Sequence, residues 1–165
     1  MAASQAQREP LPESERRAME IAFLAFKEEA MREPLKYIKH NVKSHDDDAL
    51  YRLVVAHGME YYGWYWLLVE LLGNRTESCH SYDVSDEIGW NRLAHDMSCM
   101  CPMSVDKCKE FVEELSTFGL LSNDHFREQK LVTITRLRRH AEEVAESIAQ
   151  KKLGAWKTNR KRMFS

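Results

Sequence analysis

The fold is decided by residues 85–134, which are SDEIGWNRLAHDMSCMCPMSVDKCKEFVEELSTFGLLSNDHFREQKLVTI. Two amphipathic segments in this stretch follow capping residues, Ser85-Asp86-Glu87 and Ser104, whose short side chains accept hydrogen bonds from free helix N–H groups. Gly119 ends the second predicted helix. Apolar residues then flank Ser122-Asn123-Asp124-His125, which is typical of a β-hairpin with a turn-forming loop. Helix, turn, helix and hairpin, in that order, predict a winged helix-turn-helix.

Two further helices are predicted upstream of this segment. One follows the acidic cluster Asp46-Asp47-Asp48 and ends at Gly58, and the next runs from Met59 or Glu60 to Leu72. The second is apolar nearly all round, so we expect it to be the central buried helix. Its aromatic block at 61–66 is predicted to pack in the core and not to form a surface that stacks on bases.

The remaining elements complete a mainly α fold with a small β-wing and helical extensions at both ends. Residues 37–42 predict an edge strand or an extended entry segment, and 81–84 a brief strand. A helix is predicted over 13–32, and its apolar stripe needs a partner, either the main domain or a second copy of the chain. A long polar helix is expected from Thr135 to about Leu153. The division is an N-terminal arm at 1–34, a winged-helix domain at 35–135 and a basic C-terminal helix and tail at 136–165.

Composition narrows the class of protein. The 165 residues are 44% hydrophobic and 30% charged, which is the balance of a globular domain. No apolar run approaches the roughly 18 residues that cross a bilayer, and the N-terminus lacks the apolar core of a signal peptide. Four cysteines are too few for a disulfide scaffold of this size. We therefore expect a cytoplasmic protein without a membrane partner.

Charge is distributed unevenly along the chain. Residues 1–126 hold 13 basic and 22 acidic residues, whereas residues 127–165 hold 11 basic and 4 acidic ones. A basic segment of this kind binds the phosphates of DNA irrespective of base sequence, and a tryptophan within it can stack on an unpaired base. The predicted DNA-binding residues are Arg127, Lys130, Arg136, Arg138, Arg139, Lys151, Lys152, Trp156, Lys157, Arg160, Lys161 and Arg162. A solvated basic helix end, favoured by the helix dipole, is the structural alternative.

The second helix of the predicted helix-turn-helix has an acidic outer face. Two lysines, Lys107 and Lys109, stand there against four carboxylates, those of Asp106, Glu110, Glu113 and Glu114. Helices that read the major groove usually offer Arg, Lys, Asn or Gln to bases and phosphates. Base reading by this helix is therefore disfavoured, and a solvated or partner-facing helix is expected.

The other groups of cysteine, histidine and acidic residues do not have the spacing of a metal site or a catalytic site. Cys99, Cys101 and Cys108, with His95 or Cys79-His80, do not have the paired spacing of a structural zinc site. The pair His45-Asp46 lacks the further ligands of a metal-dependent phosphohydrolase, and no glycine-rich phosphate loop occurs. We expect no metal, no cofactor and no enzymatic activity.

Residues 37–72, YIKHNVKSHDDDALYRLVVAHGMEYYGWYWLLVELL, resemble the opening of the phage-type replisome-organiser N-terminal domain, a family of DnaD-like replication-initiation proteins. The resemblance lies in the lysine-histidine entry segment, the acidic cluster, and Gly58 followed by Tyr62-Gly63-Trp64-Tyr65-Trp66. The similarity continues through the helix-turn-helix and wing and covers about residues 37–135, and weaker similarity, including Ala155-Trp156, extends to 162. Larger family members carry a further C-terminal region, whereas this sequence stops at Ser165.

This resemblance implies a non-enzymatic, DNA-binding or self-associating winged helix that helps assemble a replisome in phage or prophage DNA replication. The implied partners are DNA, bound nonspecifically, a second copy of the chain, and a replicative helicase or its loader. The charges predict DNA contact mainly through the wing and the basic tail. The alternative is a protein-interaction or oligomerisation module for the helicase or loader, and a sequence-specific repressor ranks third.

Overall fold

The computed structural model describes residues 11–36, 48–99 and 102–163, with side chains as far as Arg160. These residues are mainly helical and include one small antiparallel sheet. In chain order the elements are α1 (Glu13–Met31), α2 (Asp48–His57), α3 (Met59–Gly73), β1 (Tyr82–Asp83), α4 (Glu87–Met97), α5 (Val105–Thr117), α6 (Asn123–Gln129), β2 (Leu131–Val132) and α7 (Thr135–Met163). Predictions for 37–42 and for Asp46 and Asp47 lie outside the described residues.

The chain forms two compact units, Met31–Val144 and Met1–Ala30 with Ala145–Ser165. Helix α7 contributes to both. None of the helices in the described ranges combines the length and apolar character that a bilayer-spanning segment needs.

The core of the larger unit is built around α3. Tyr65, Leu68 and Leu72 of this helix are almost completely buried, and Phe111 and Leu115 of α5 are fully buried in the same cluster. The aromatic block at 61–66 lies in or against this core, as its position on an apolar helix predicts. Apolar burial of this kind is the main stabilising contribution to the unit.

The caps of α4 and α5 are as predicted from the sequence. The Asp86 carboxylate accepts a hydrogen bond from the Gly89 N–H at 2.7 Å, and the Ser104 hydroxyl accepts one from the Lys107 N–H at 3.2 Å. Gly119, with φ of +76°, follows the last residues of α5 in the left-handed region that favours glycine. The two helices therefore begin and end where local chemistry sets them.

Three extended segments come together beside these helices. Strands β1 and β2 pair antiparallel, with Tyr82 opposite Val132, and Leu121 forms a bridge with Ile134. The backbone at 131–134 thus lies between β1 and Leu121. The predicted strand at 81–84 is confirmed, and so is the pairing of the two arms on either side of 122–130.

The predicted hairpin loop is wrong, because residues Asn123–Gln129 form α6 rather than a turn. Phe126 of α6 is buried near Trp90, and burial of its ring stabilises the helical conformation of this segment. The Ser116 hydroxyl donates to the Asn123 side chain at 2.7 Å and fixes the start of α6. Lys130, in the left-handed conformation, ends it.

The smaller unit brings α1 beside the last part of α7. Ala30, Ala145, Ala149 and Leu153 are buried there, and Lys152 forms an ion pair with Glu29 at 2.8 Å. Helix α7 therefore contacts α1 near Phe26 and Glu29, whereas Ile21 and Leu24 remain exposed. Helix α7 continues to Met163 instead of ending near Leu153, since Gly154 is accommodated within the helix.

Candidate nucleic-acid interface

Helix α5 presents ion pairs rather than unpaired cations. Lys107 pairs with Glu110 at 3.2 Å, and Lys109 pairs with Glu87 of α4 at 2.6 Å. These contacts leave neither ammonium group available without breaking an existing pair. Helix α5, predicted as the second helix of a helix-turn-helix, therefore has little positive charge to offer to phosphate.

The two cations expected on the wing lie on or just after α6, which is a correction to that placement. The guanidinium of Arg127 donates two hydrogen bonds, of 2.8 and 3.2 Å, to the carboxylate of Glu113. Its charge is therefore locally compensated in the geometry that arginine and carboxylate prefer. Lys130 is exposed at the end of α6.

Arg136, Arg138 and Arg139 lie in the first two turns of α7, in the larger unit. Arg138 donates to Glu142 at 2.9 Å and contacts the His125 ring, with 2.8 Å between Nη1 and Nδ1. Because arginine has no acceptor, His125 must accept this hydrogen bond with an unprotonated nitrogen. Arg138 is thus part of a structural cluster, whereas Arg139 is exposed.

The cluster at His125 predicts a pH dependence of stability. Desolvation, followed by the charge of Arg138, holds the pKa of His125 below its ordinary value of 6.5. The unfolded chain then binds the proton more readily, so stability is lost as pH falls below about 6.5 toward the depressed folded-state pKa. His125→Gln should flatten the loss of unfolding free energy between pH 7 and 5, measured by urea denaturation. The same slope in both proteins would contradict this role.

The basic end of α7 belongs to the smaller unit and, unlike α5, carries exposed cations on a stretch without carboxylates. Residues 147–163 contain no aspartate or glutamate, and Lys151, Lys157 and Arg160 are exposed on this helix. Arg160 lies over the Trp156 ring, 5.1 Å from its centroid, and Trp156 itself is half-buried. Lys152 is paired with Glu29 and lies 5.9 Å from the Phe26 ring centroid. Lys161 and Arg162 fall within the helix, but their side chains lie outside the described set.

The residues considered for a metal site do not come together where the structure describes them. No group of three or more His, Cys, Asp or Glu side chains in the described ranges is placed to hold an ion. Cys108 is fully buried on α5, and burial raises the pKa of its thiol to about 12. It therefore behaves as a small apolar side chain.

A cavity of about 180 Å³, which was not predicted from the sequence, lies between α3 and α7 within the larger unit. Its lining includes Trp66, Arg136, Arg139 and His140. The three α7 residues follow the spacing of one helix face, which is the signal that was present in the sequence. The spacing does not show that residues of α3 form the other wall of the cavity.

No family model, curated protein or solved structure matches the chain. Function is therefore inferred from the residues and their surroundings.

Proposed function

We propose that the chain is a non-enzymatic DNA-binding protein of phage or prophage replication initiation, and that it holds DNA mainly through the basic end of α7. The observation that carries this proposal is the exposure of Lys151, Lys157 and Arg160 on a helical stretch without a carboxylate. Closely spaced cations of this kind displace counterions from DNA and bind it irrespective of sequence. Trp156, beside Arg160, adds an aromatic ring to the same surface.

The order of elements in the larger unit supports a winged-helix interpretation. Helix α3, strand β1, helices α4 and α5, the bridge at Leu121 and strand β2 follow one another as in a winged helix-turn-helix. Helix α6 would then occupy the place of the wing. The paired lysines of α5 favour nonspecific attachment over base reading by this helix.

Support for a role in replication comes from the resemblance of residues 37–72 to replisome organisers. Gly58 separates α2 from α3, and the Tyr62-Gly63-Trp64-Tyr65-Trp66 block lies on α3, where it packs into or against the core. The motif thus contributes to the scaffold, and the nonspecific contact with DNA falls to other residues.

A protein-interaction module is the second candidate, and an apolar stripe favours it. Tyr51 and Val55 lie four residues apart on α2 and are 58 and 68% exposed, and Met59, at the start of α3 after the break at Gly58, is 68% exposed. Exposed apolar side chains at such spacing suit a helix-binding partner such as a helicase or its loader. In this case the basic end of α7 would serve solubility alone.

Removing three charges from α7 separates the two candidates. The variant Lys151→Gln, Lys157→Gln and Arg160→Gln is preferable to truncation, because Leu153 is buried and its removal would disturb the smaller unit. Each lost phosphate contact should reduce the slope of log K against log salt by about 0.9 on duplex DNA. We expect binding to weaken and the slope to fall by up to about 2.7 units, measured by fluorescence anisotropy.

The matched control removes three cations from α1 of the same unit, with Arg16→Gln, Arg17→Gln and Lys27→Gln. It changes the net charge equally and should leave most of the salt slope in place. Equal effects of the two triple variants would mean that net charge, and not the position of the cations on α7, determines binding. Unchanged binding by the α7 variant, or no DNA binding by the wild type, would favour the interaction module.

A further inference from the structure

The cavity between α3 and α7 is lined on the α3 side by Trp66 and Val69, and on the α7 side by Arg136, Arg139, His140 and Glu143. All of them belong to the larger unit. Its volume of about 180 Å³ is close to that of a cavity of roughly 150 Å³ that accepts benzene. The space therefore suits one aromatic ring.

One wall of the cavity is apolar and aromatic. Val69 is 3% exposed, and Trp66 is half-buried with its ring 5.3 Å from that of Tyr65. Tyr65, itself buried, also lines the cavity. A planar ring entering here would exchange water for aromatic neighbours, as bases do in pockets that bind single-stranded nucleic acid.

The opposite wall includes the imidazole of His140. His140 Nε2 is buried and has no hydrogen-bond partner among the described atoms. Buried polar atoms are nearly always paired, so this nitrogen calls for a partner. The imidazole nitrogen donates or accepts according to its tautomer, and it can therefore pair with a carbonyl or an N–H on the edge of a ring.

Two arginines line the same cavity. Arg139 is exposed, and no ion pair or hydrogen bond joins its guanidinium to another described side chain. Arg136 lines the same space, so two guanidinium groups face one carboxylate, that of Glu143. A guanidinium binds phosphate through paired N–H groups, which makes Arg139 a suitable anchor for a phosphate outside the cavity.

We propose that this cavity binds a pyrimidine nucleotide, with the ring against Trp66, the phosphate at Arg139, and the polar edge of the ring paired with His140 Nε2 after the imidazole turns toward the cavity. The nucleotide is either a free mononucleotide or an unpaired residue of a DNA strand, since both present the same chemistry. The site goes beyond the nonspecific contact at the end of α7 and shares none of its residues.

Titration of the full chain with thymidine 5′-monophosphate tests this site, followed by tryptophan fluorescence and isothermal calorimetry. Saturable binding is expected, with weaker binding of adenosine 5′-monophosphate, whose two-ring base exceeds the space, and of inorganic phosphate. Arg139→Gln and His140→Phe should each weaken binding about tenfold, because each removes one polar contact with the ligand. Arg92→Gln, which removes an exposed arginine outside the cavity, is the matched control and should bind as the wild type does. Circular dichroism establishes that each variant is folded.

Binding of inorganic phosphate as tight as that of the mononucleotide would overturn the proposal, and so would equal binding of the adenine nucleotide. A strand source predicts that His140→Phe weakens oligo(dT) binding more than duplex binding, whereas a free-nucleotide source predicts no such difference. The proposal is overturned if neither thymidine 5′-monophosphate nor oligo(dT) responds to the two cavity substitutions. The triple α7 variant should bind the mononucleotide normally. The mononucleotide titration can therefore succeed or fail independently of the DNA-binding proposal.

Discussion

Phe111→Ala should lower the free energy of unfolding by about 3–5 kcal/mol, the usual cost of removing a fully buried aromatic ring. Phe111 has no exposed surface and contacts the rings of Tyr61 and Trp64 edge-on, at centroid distances of 5.4 and 5.6 Å. Its removal leaves a void where α5 packs on α3, and the surrounding rings are too stiff to fill it. Urea unfolding followed by tryptophan fluorescence and far-ultraviolet circular dichroism measures the loss.

Thr117→Ala on the same helix is the control, because Thr117 is exposed and its hydroxyl donates only to the Glu113 carbonyl. Its effect should stay within about 0.5 kcal/mol, as is usual at the surface. A loss below about 1 kcal/mol for Phe111→Ala would contradict the packing of α5 on α3, since no buried aromatic ring is removed so cheaply.

The helices were predictable wherever local chemistry determines them. Asp86 and Ser104 mark the starts of α4 and α5 because their side chains satisfy N–H groups of the first turn. Helix α3 was recognisable because an apolar segment of this length has to be buried. Neither inference requires knowledge of distant residues.

Helix α6 was not predictable in the same way, because Ser122, Asn123 and Asp124 suit a turn and a helix start equally well. The choice depends on Phe126, which is buried near Trp90, 36 positions earlier in the chain. The compensation of Arg127 by Glu113 is likewise a tertiary contact. A list of basic residues therefore overstates the positive charge that is available to DNA.

The grouping of the residues that line the cavity was not predictable from the sequence either. Arg136, Arg139 and His140 follow a helical spacing that any basic helix can have, and only the fold places them opposite Trp66. By contrast, the lack of carboxylates at 147–163 is a property of the sequence itself, and the exposure of Lys151 and Lys157 follows from their place on a helix.

Gly89→Ala should destabilise the protein by about 1–3 kcal/mol, the usual cost of overpacking, even though alanine is the better helix former. A methyl group on Gly89 would overlap the backbone oxygen of Asp83 and lie 3.0 Å from the Cα of Val84. Both neighbours are backbone atoms beside the β1–β2 pairing, so neither yields without disturbing the sheet. Thermal unfolding of the variant, with amide spectra of residues 82–84, measures the loss and its location.

The sign of the change makes this test decisive, because helix propensity and close packing predict opposite results. Gly63→Ala on α3 is the matched control: a methyl group there meets no atom within 4 Å, so propensity alone should stabilise the protein by up to about 1 kcal/mol. Stabilisation by both substitutions would mean that α4 does not approach β1 closely. Opposite signs would establish the contact that holds α4 against the sheet, on which the proposed winged-helix interpretation depends.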